Sequence, residues 1–203
     1  MTAEVRTPRT TDGAHADAAA PASSPVVELS LSEQLADLVV STRSSDVPDE
    51  VRDTAAWWVL DWLGAAVAGL DSEPGRIMLE HTGEQPLGPS SCLGLPDGRS
   101  TQVAALHNGI ISHVVEMDDV HRAATIHPAV VVVPAALAVA EQRGASGRDF
   151  LTAVTLGYEV AIRVGEAVGK THYFHWHNTS TCGVFGATAA AGWLLGLDRE
   201  RMA

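Results

Sequence analysis

Residues 128–169 read PAVVVVPAALAVAEQRGASGRDFLTAVTLGYEVAIRVGEAVG. This stretch decides the fold class. Residues 128–143 form an apolar run of helical length that Gly144 ends, and residues 147–169 follow as a second helix with Arg148 and Asp149 near its start. Working upstream, residues 102–115 lack proline and place Ala104, Ala105, Asn108, Ile111, Ser112 and Val115 at helical spacing. Working downstream, residues 181–195 make a helix of small residues closed by Gly196. Its Gly183, Gly186 and Gly192 read as places of close helix packing, because no strand precedes them and no phosphate-loop pattern is present. Nearer the start, Pro48, Asp49 and Glu50 open a helix over residues 51–70. Its Trp57, Trp58, Trp62, Ala65 and Ala66 spread beyond one stripe, so we expect burial on most sides. Ser30 or Ser32 caps a helix through Leu31, Leu35, Leu38 and Val39. Glycines and prolines punctuate residues 71–100. That stretch reads as a connector with a brief helix near 75–81 and one extended segment at 91–96. The expected class is all-α, with residues 1–27 a disordered tail and residues 28–203 the folded part. Asp198 opens a further helix, so we expect the chain to be the front part of something longer.

Composition narrows the function classes. Of 203 residues, 46% are apolar and 19% charged, which supports a packed core. The net charge of −12 offers no basic stripe for nucleic acid and no polybasic membrane anchor. An anionic substrate must then be captured by a local device. Cys92 and Cys182 are far apart and read as reduced thiols. Residues 1–25 lack the apolar segment of a secretory signal, and no run is long enough to span a membrane. The expected location is cytoplasmic.

Two polar islands interrupt the apolar helices. In the first, residues 113–127, His113 and Glu116 are three apart and share a helical face, and Asp118 and Asp119 fall at the helix end that the macrodipole makes unfavourable for acids. The second, residues 172–183, sets His172, His175 and His177 before a helix start that Thr179, Ser180 and Thr181 can cap. Free backbone N–H groups at such a start make a carboxylate or phosphate pocket. His113, Glu116, Asp118, Asp119, His121, His127, His175 and His177 could supply metal ligands. No zinc-binding motif orders them, so acid–base chemistry ranks ahead of a metal.

The residues also resemble a known family. Residues 104–113 (AALHNGIISH), the Glu116-Met-Asp-Asp that follows, His127-Pro, residues 134–141 (PAALAVAE), residues 157–163 (GYEVAIR), residues 176–183 (WHNTSTCG) and residues 60–69 (LDWLGAAVAG) resemble the MmgE/PrpD family in order and spacing. That family includes 2-methylcitrate dehydratase, cis-aconitate decarboxylase and iminodisuccinate epimerase. The resemblance runs from about Leu29 to the end. It implies a helical domain, often dimeric, followed by a smaller α/β domain with the active site between them. It also implies proton transfer next to a carboxylate in small polycarboxylic acids, with neither a metal nor an organic cofactor. Carried over residue by residue, it marks His127, His177, Asp118 and Asp119 as catalytic. Glu116 falls where the decarboxylase type carries an aspartate, and Val120 replaces a threonine of that type. Residues 129–132, Ala-Val-Val-Val, stand where the dehydratase type has Ser-Asp-Asn. The Asp-Asp-Val-His-Arg pattern is closer to epimerase-like members.

The expectation is therefore a lyase or epimerase acting on a di- or tricarboxylate. His127 or His177 moves the proton, and Asp118 and Asp119 orient a histidine and raise its basicity. Thr179 and Thr181 at the helix start, with Glu116 and His113, hold the substrate. The alternative is a non-catalytic fragment or subunit that contributes half a site to a partner chain. A homodimer or a complementing chain is the expected assembly.

Overall fold

The computed structural model describes residues 29–203; the tail expected over residues 1–27 lies outside the described residues. The chain forms α1 (Leu31–Ser41), a 3-10 turn (Ser44–Asp46), α2 (Asp49–Leu70), α3 (Glu73–Gly83), β1 (Leu87–Ser90), α4 (Thr101–His113), α5 (Pro128–Arg143), α6 (Gly147–Tyr173), α7 (Asn178–Leu195) and α8 (Arg199–Met202). The class is all-α, as the helical periodicity implies. Ser30 caps α1 in a full capping box with Glu33. Gly144 and Gly196 end α5 and α7 in the left-handed conformation.

α5 is the central helix. Ten of its sixteen residues are buried, which is why its apolar residues run all round instead of along one stripe. Ala129, Val132, Val133 and Ala136 of α5 pack with Trp62 of α2, Ala153, Val154 and Tyr158 of α6, and Ala190 of α7. α6 and α7 cross at Gly157 and Gly186, where a β-carbon on Gly186 would run into the Gly157 carbonyl. Close approach at this crossing, midway along α7, demands the small residues. The Trp193 indole N–H donates to the Thr42 carbonyl at 2.8 Å, tying α7 to the end of α1.

The structure corrects several expectations. α2 is not buried on most sides: Trp57, Leu60 and Val67 are 69%, 54% and 57% exposed, and only the Ala55, Trp62, Ala65, Ala66 and Gly69 side faces the core. The extended segment is residues 87–90, not 91–96. It pairs antiparallel with Arg99, whose buried guanidinium donates to the Thr82 and Gly83 carbonyls at the end of α3. α3 itself is longer than the brief helix expected, because Ser72 caps it and accepts from the Gly75 N–H. α6 continues past Gly169, which takes φ 67° and ψ −177° and kinks the helix. That conformation is essentially restricted to glycine. Both cysteines are free and buried. No helix among the described residues is long and apolar enough to cross a membrane.

Candidate active site

The first polar island is a loop held open by its neighbours. α4 ends at His113, so Glu116 lies beyond the helix and not on its face. Glu116 and Thr125 both adopt positive φ, 52° and 53°. Glu116 bends the chain just past α4, and Thr125 lies inside a narrow turn in which His121 and Ile126 exchange backbone hydrogen bonds of 2.9 and 3.3 Å. The His121 side chain accepts from the Ala124 N–H within that turn. Ala124 and Ile126 are buried against Ala161 and Cys182. The Asn178 amide donates to the Ala124 carbonyl at 2.8 Å, fastening the loop to the start of α7.

Within this loop the two adjacent aspartates part. The Asp118 side chain is fully buried and lies 3.0 Å from His113 Nδ1 and 3.3 Å from His127 Nδ1. Asp119 turns the other way. Its carboxylate accepts from the Ala129 N–H at 3.0 Å and from the Tyr158 hydroxyl at 2.9 Å, so it serves the first turn of α5. Burial pushes the Asp119 carboxyl above its ordinary range, against the opposing pull of those two hydrogen bonds. Burial and the Asp119 charge together push the Tyr158 phenol far upward, so it remains a neutral donor. Trp58 stacks on Tyr158 with ring centroids 4.4 Å apart and fixes it in place.

Three histidines gather here. The His113 ring lies 5.0 Å from that of His127 and 6.3 Å from that of His177. His127 is the N-cap residue of α5 and His177 that of α7, and neither side chain makes a capping bond. Two helix starts therefore converge on one spot, each bringing the positive end of its dipole; at α5 the His127 and Ala129 N–H groups are already bonded to Thr179 and Asp119, and Pro128 has none. The expected capping by Thr179, Ser180 and Thr181 does not occur, because α7 begins at Asn178 and places them inside its first turn. Thr179 instead bridges the two helix starts: its hydroxyl accepts from the His127 N–H at 3.1 Å. The Thr181 hydroxyl donates to the His177 carbonyl and contacts His172 Nε2 at 2.8 Å. Glu116 is exposed, 3.7 Å from His113 Nε2. His175 is exposed and lies outside this cluster.

His113, Asp118, His127, His177 and Thr179 thus come together. Asp119 stands behind them, Glu116 and Thr181 at the edges. Tyr158 was missed as a site neighbour, and His172, read as part of the second island, contacts Thr181. Nothing local marks Tyr158, which sits in a helical run and gains its role only from Asp119, 39 positions away. His107, by contrast, is a core residue, bonded to Thr82 Oγ1 at 3.0 Å and to the Leu93 carbonyl at 2.9 Å.

The fold is thus an all-α domain in which a buried carboxylate faces two imidazoles beside two helix starts. Residues 33–203 match the MmgE/PrpD N-terminal domain, and the chain belongs to the MmgE/PrpD family. It is 32% identical over 185 residues to the cis-aconitate decarboxylase-like protein oryM of Aspergillus oryzae, covering 85% of this chain and 38% of that relative. It is 29% identical to the cis-aconitate decarboxylase of Aspergillus terreus, over 78% of this chain and 34% of the relative. It is 31% identical to that of Homo sapiens, over 85% and 37%. The chain thus spans little more than a third of the length of these relatives, which are lyases by name.

Proposed function

We propose that this chain carries the proton-transfer half of a lyase-type site acting on a small di- or tricarboxylic acid. The observation that supports this most is one buried carboxylate, Asp118, shared by the Nδ1 atoms of two histidines. His113 Nδ1 is hydrogen-bonded to Asp118 and His127 Nδ1 approaches the same carboxylate at 3.3 Å; a proton carried on Nδ1 beside that charge leaves Nε2 of the ring with its lone pair, the arrangement a general base needs. When His127 takes a proton from carbon next to a substrate carboxylate, the new imidazolium faces the negative charge of Asp118. The proton now on His127, or one carried by His113 or His177 in its protonated form, is then returned to the substrate. Return to carbon gives epimerisation, and departure of a β-hydroxyl as water gives dehydration; decarboxylation uses the same groups in the opposite sense, CO2 leaving and a protonated histidine giving its proton to the electron pair left on carbon. The start of α7 holds a substrate carboxylate through its N–H groups. Asp119 and Tyr158 set the position of the His127-Pro128 turn.

The names of the relatives make cis-aconitate the first substrate to test. A second reading divides the site: the opposite wall comes from a partner chain or a further segment. Exposed Tyr173, Phe174 and Trp176 at the rim beside His177 favour it.

Proton NMR in D2O with citrate, 2-methylcitrate, cis-aconitate, malate and iminodisuccinate tests both. Loss of a C–H signal or a new product supports catalysis by this chain, and the product separates the outcomes. His127→Ala should keep the far-UV circular dichroism and abolish turnover; turnover at the wild-type rate refutes the role of His127. An inactive wild-type chain shifts weight to the divided site, which addition of the missing part in trans then tests.

A further inference from the structure

The groups that would move protons also match a metal's requirements. Donor atoms from His113, Asp118 and His127 all lie within 4.8 Å of one another. One oxygen, Asp118 Oδ2, lies 3.1 Å from His113 Nδ1 and 3.3 Å from His127 Nδ1. A tetrahedral zinc ion with N and O ligands at about 2.0–2.1 Å needs donor-to-donor edges of about 3.3 Å. A separate observation points to a ligand. His127 Nδ1 is buried and, despite its approach to Asp118, makes no aligned hydrogen bond among the described residues. A buried nitrogen of that kind calls for a partner.

We propose that His113, Asp118 and His127 bind a zinc-class divalent ion, and that the bound ion switches proton transfer off. The first part stands on the geometry; the second rests on the function proposed above. Two imidazoles and one carboxylate select zinc-class ions over magnesium and calcium, which take oxygen ligands. The side chains of His113 and His127 are 26% and 19% exposed, so the fourth position faces solvent and takes water or a substrate carboxylate. Binding displaces any proton held on Nδ1 into solvent. A neutral imidazole with the metal on Nδ1 carries its hydrogen on Nε2 and has no lone pair left to act as a base. The ion and the reaction therefore compete for the same two rings.

The test uses the full, tag-free, metal-stripped chain. Calorimetric titration with Zn2+ should give one site, and Co2+ should give the intense visible bands of a tetrahedral centre. His127→Ala and Asp118→Asn should each weaken binding by at least about tenfold with unchanged circular dichroism, and His81→Ala, an exposed histidine on α3, should not. Excess Mg2+ should not compete. Asp118→Asn, the near-isosteric change, decides the matter if His127→Ala fails to fold. Absence of stoichiometric binding, or binding that survives Asp118→Asn, overturns the site. Zn2+ should also abolish turnover at the concentrations that fill the site, with recovery on chelation; full activity of the zinc-loaded chain overturns the switch. Zinc binding by a chain that turns over no carboxylate, either alone or with the missing part added in trans, overturns the proposed function and leaves the metal site standing.

Discussion

Replacing Thr179 by valine tests whether the two helix starts are tied together as described. Thr179 is buried at 5% exposure, and its hydroxyl is the acceptor for the His127 N–H at 3.1 Å. Valine keeps the shape and removes only the oxygen. Threonine and valine have nearly equal helix propensity, so the local helix term cancels. What remains is an N–H left without its partner, at about 1–3 kcal/mol, offset by up to about 0.8 kcal/mol from the additional apolar carbon. The expected net loss is about 1–2 kcal/mol, or a fall of about 2–8 °C in Tm for a domain of this size. Thr179→Ser loses a methyl instead and costs about 1 kcal/mol, so stability alone does not separate the two variants. Amide hydrogen exchange does. The His127 N–H should lose its protection in the valine variant and keep it in the serine variant. Urea denaturation of all three proteins supplies the energies. Wild-type protection of the His127 amide in Thr179→Val, or a stability within about 0.5 kcal/mol of wild type, refutes the bridge.

Asp118→Asn removes the negative charge that faces both rings and weakens the hydrogen bond from His113 Nδ1. Loss of a charge-assisted hydrogen bond worth up to about 3 kcal/mol predicts a fall in kcat of about 100-fold with the fold intact; a rate within threefold of wild type in the D2O assay contradicts this. Gly186→Ala forces α7 away from the Gly157 carbonyl and should destabilise by about 1–3 kcal/mol in urea titrations. Gly64→Ala on the open face of α2 meets nothing within 4 Å and should stabilise by about 0.5–1 kcal/mol. Asp119 titrates above its ordinary value of 3.8 in the folded chain because it is buried. The folded state thus holds that proton more tightly, and the contribution to stability is full below about pH 4 and lost as pH rises through the raised value. Asp119→Asn removes this loss, so its stability relative to wild type should climb from about pH 4 upward and then level; a difference that falls over that window contradicts the assignment.

These predictions turn on tertiary pairings, and that is where legibility in the sequence stops. α5 was readable because burial on all sides leaves an unmistakable apolar run, and Gly144 marks its end by a backbone conformation that costs other residues. The tight crossing of α6 and α7 was readable for a similar reason, since glycines inside a helical pattern are disfavoured unless a neighbour comes close. The start of α7 was not. Three hydroxyl residues in a row signal a cap by local rules, but the Thr179 hydroxyl is taken by an N–H 52 positions away, and the chain turns helical earlier. Gly169 was a true local break, yet α6 resumes beyond it, where His172 contacts Thr181 across the turn. The apolar outline of α2 implied burial that the Trp57, Leu60 and Val67 face lacks, because apolar pattern reports a need for cover and not which element meets it.

Asp118 and Asp119 show the same limit at the site itself. They are adjacent and chemically identical, so nothing local separates a carboxylate facing two histidines from one bound to a tyrosine. The Trp58–Tyr158 stack places a hydroxyl donor, and the Ala129 N–H a second, where only Asp119 reaches both. With Asp119 held there, the preceding residue, Asp118, is left to face His113 and His127. The role of Asp118 is in this sense assigned by its neighbour's partners. Substitutions at Tyr158 or Trp58, which touch none of the three histidines, should therefore disturb the site through the direction in which Asp118 points.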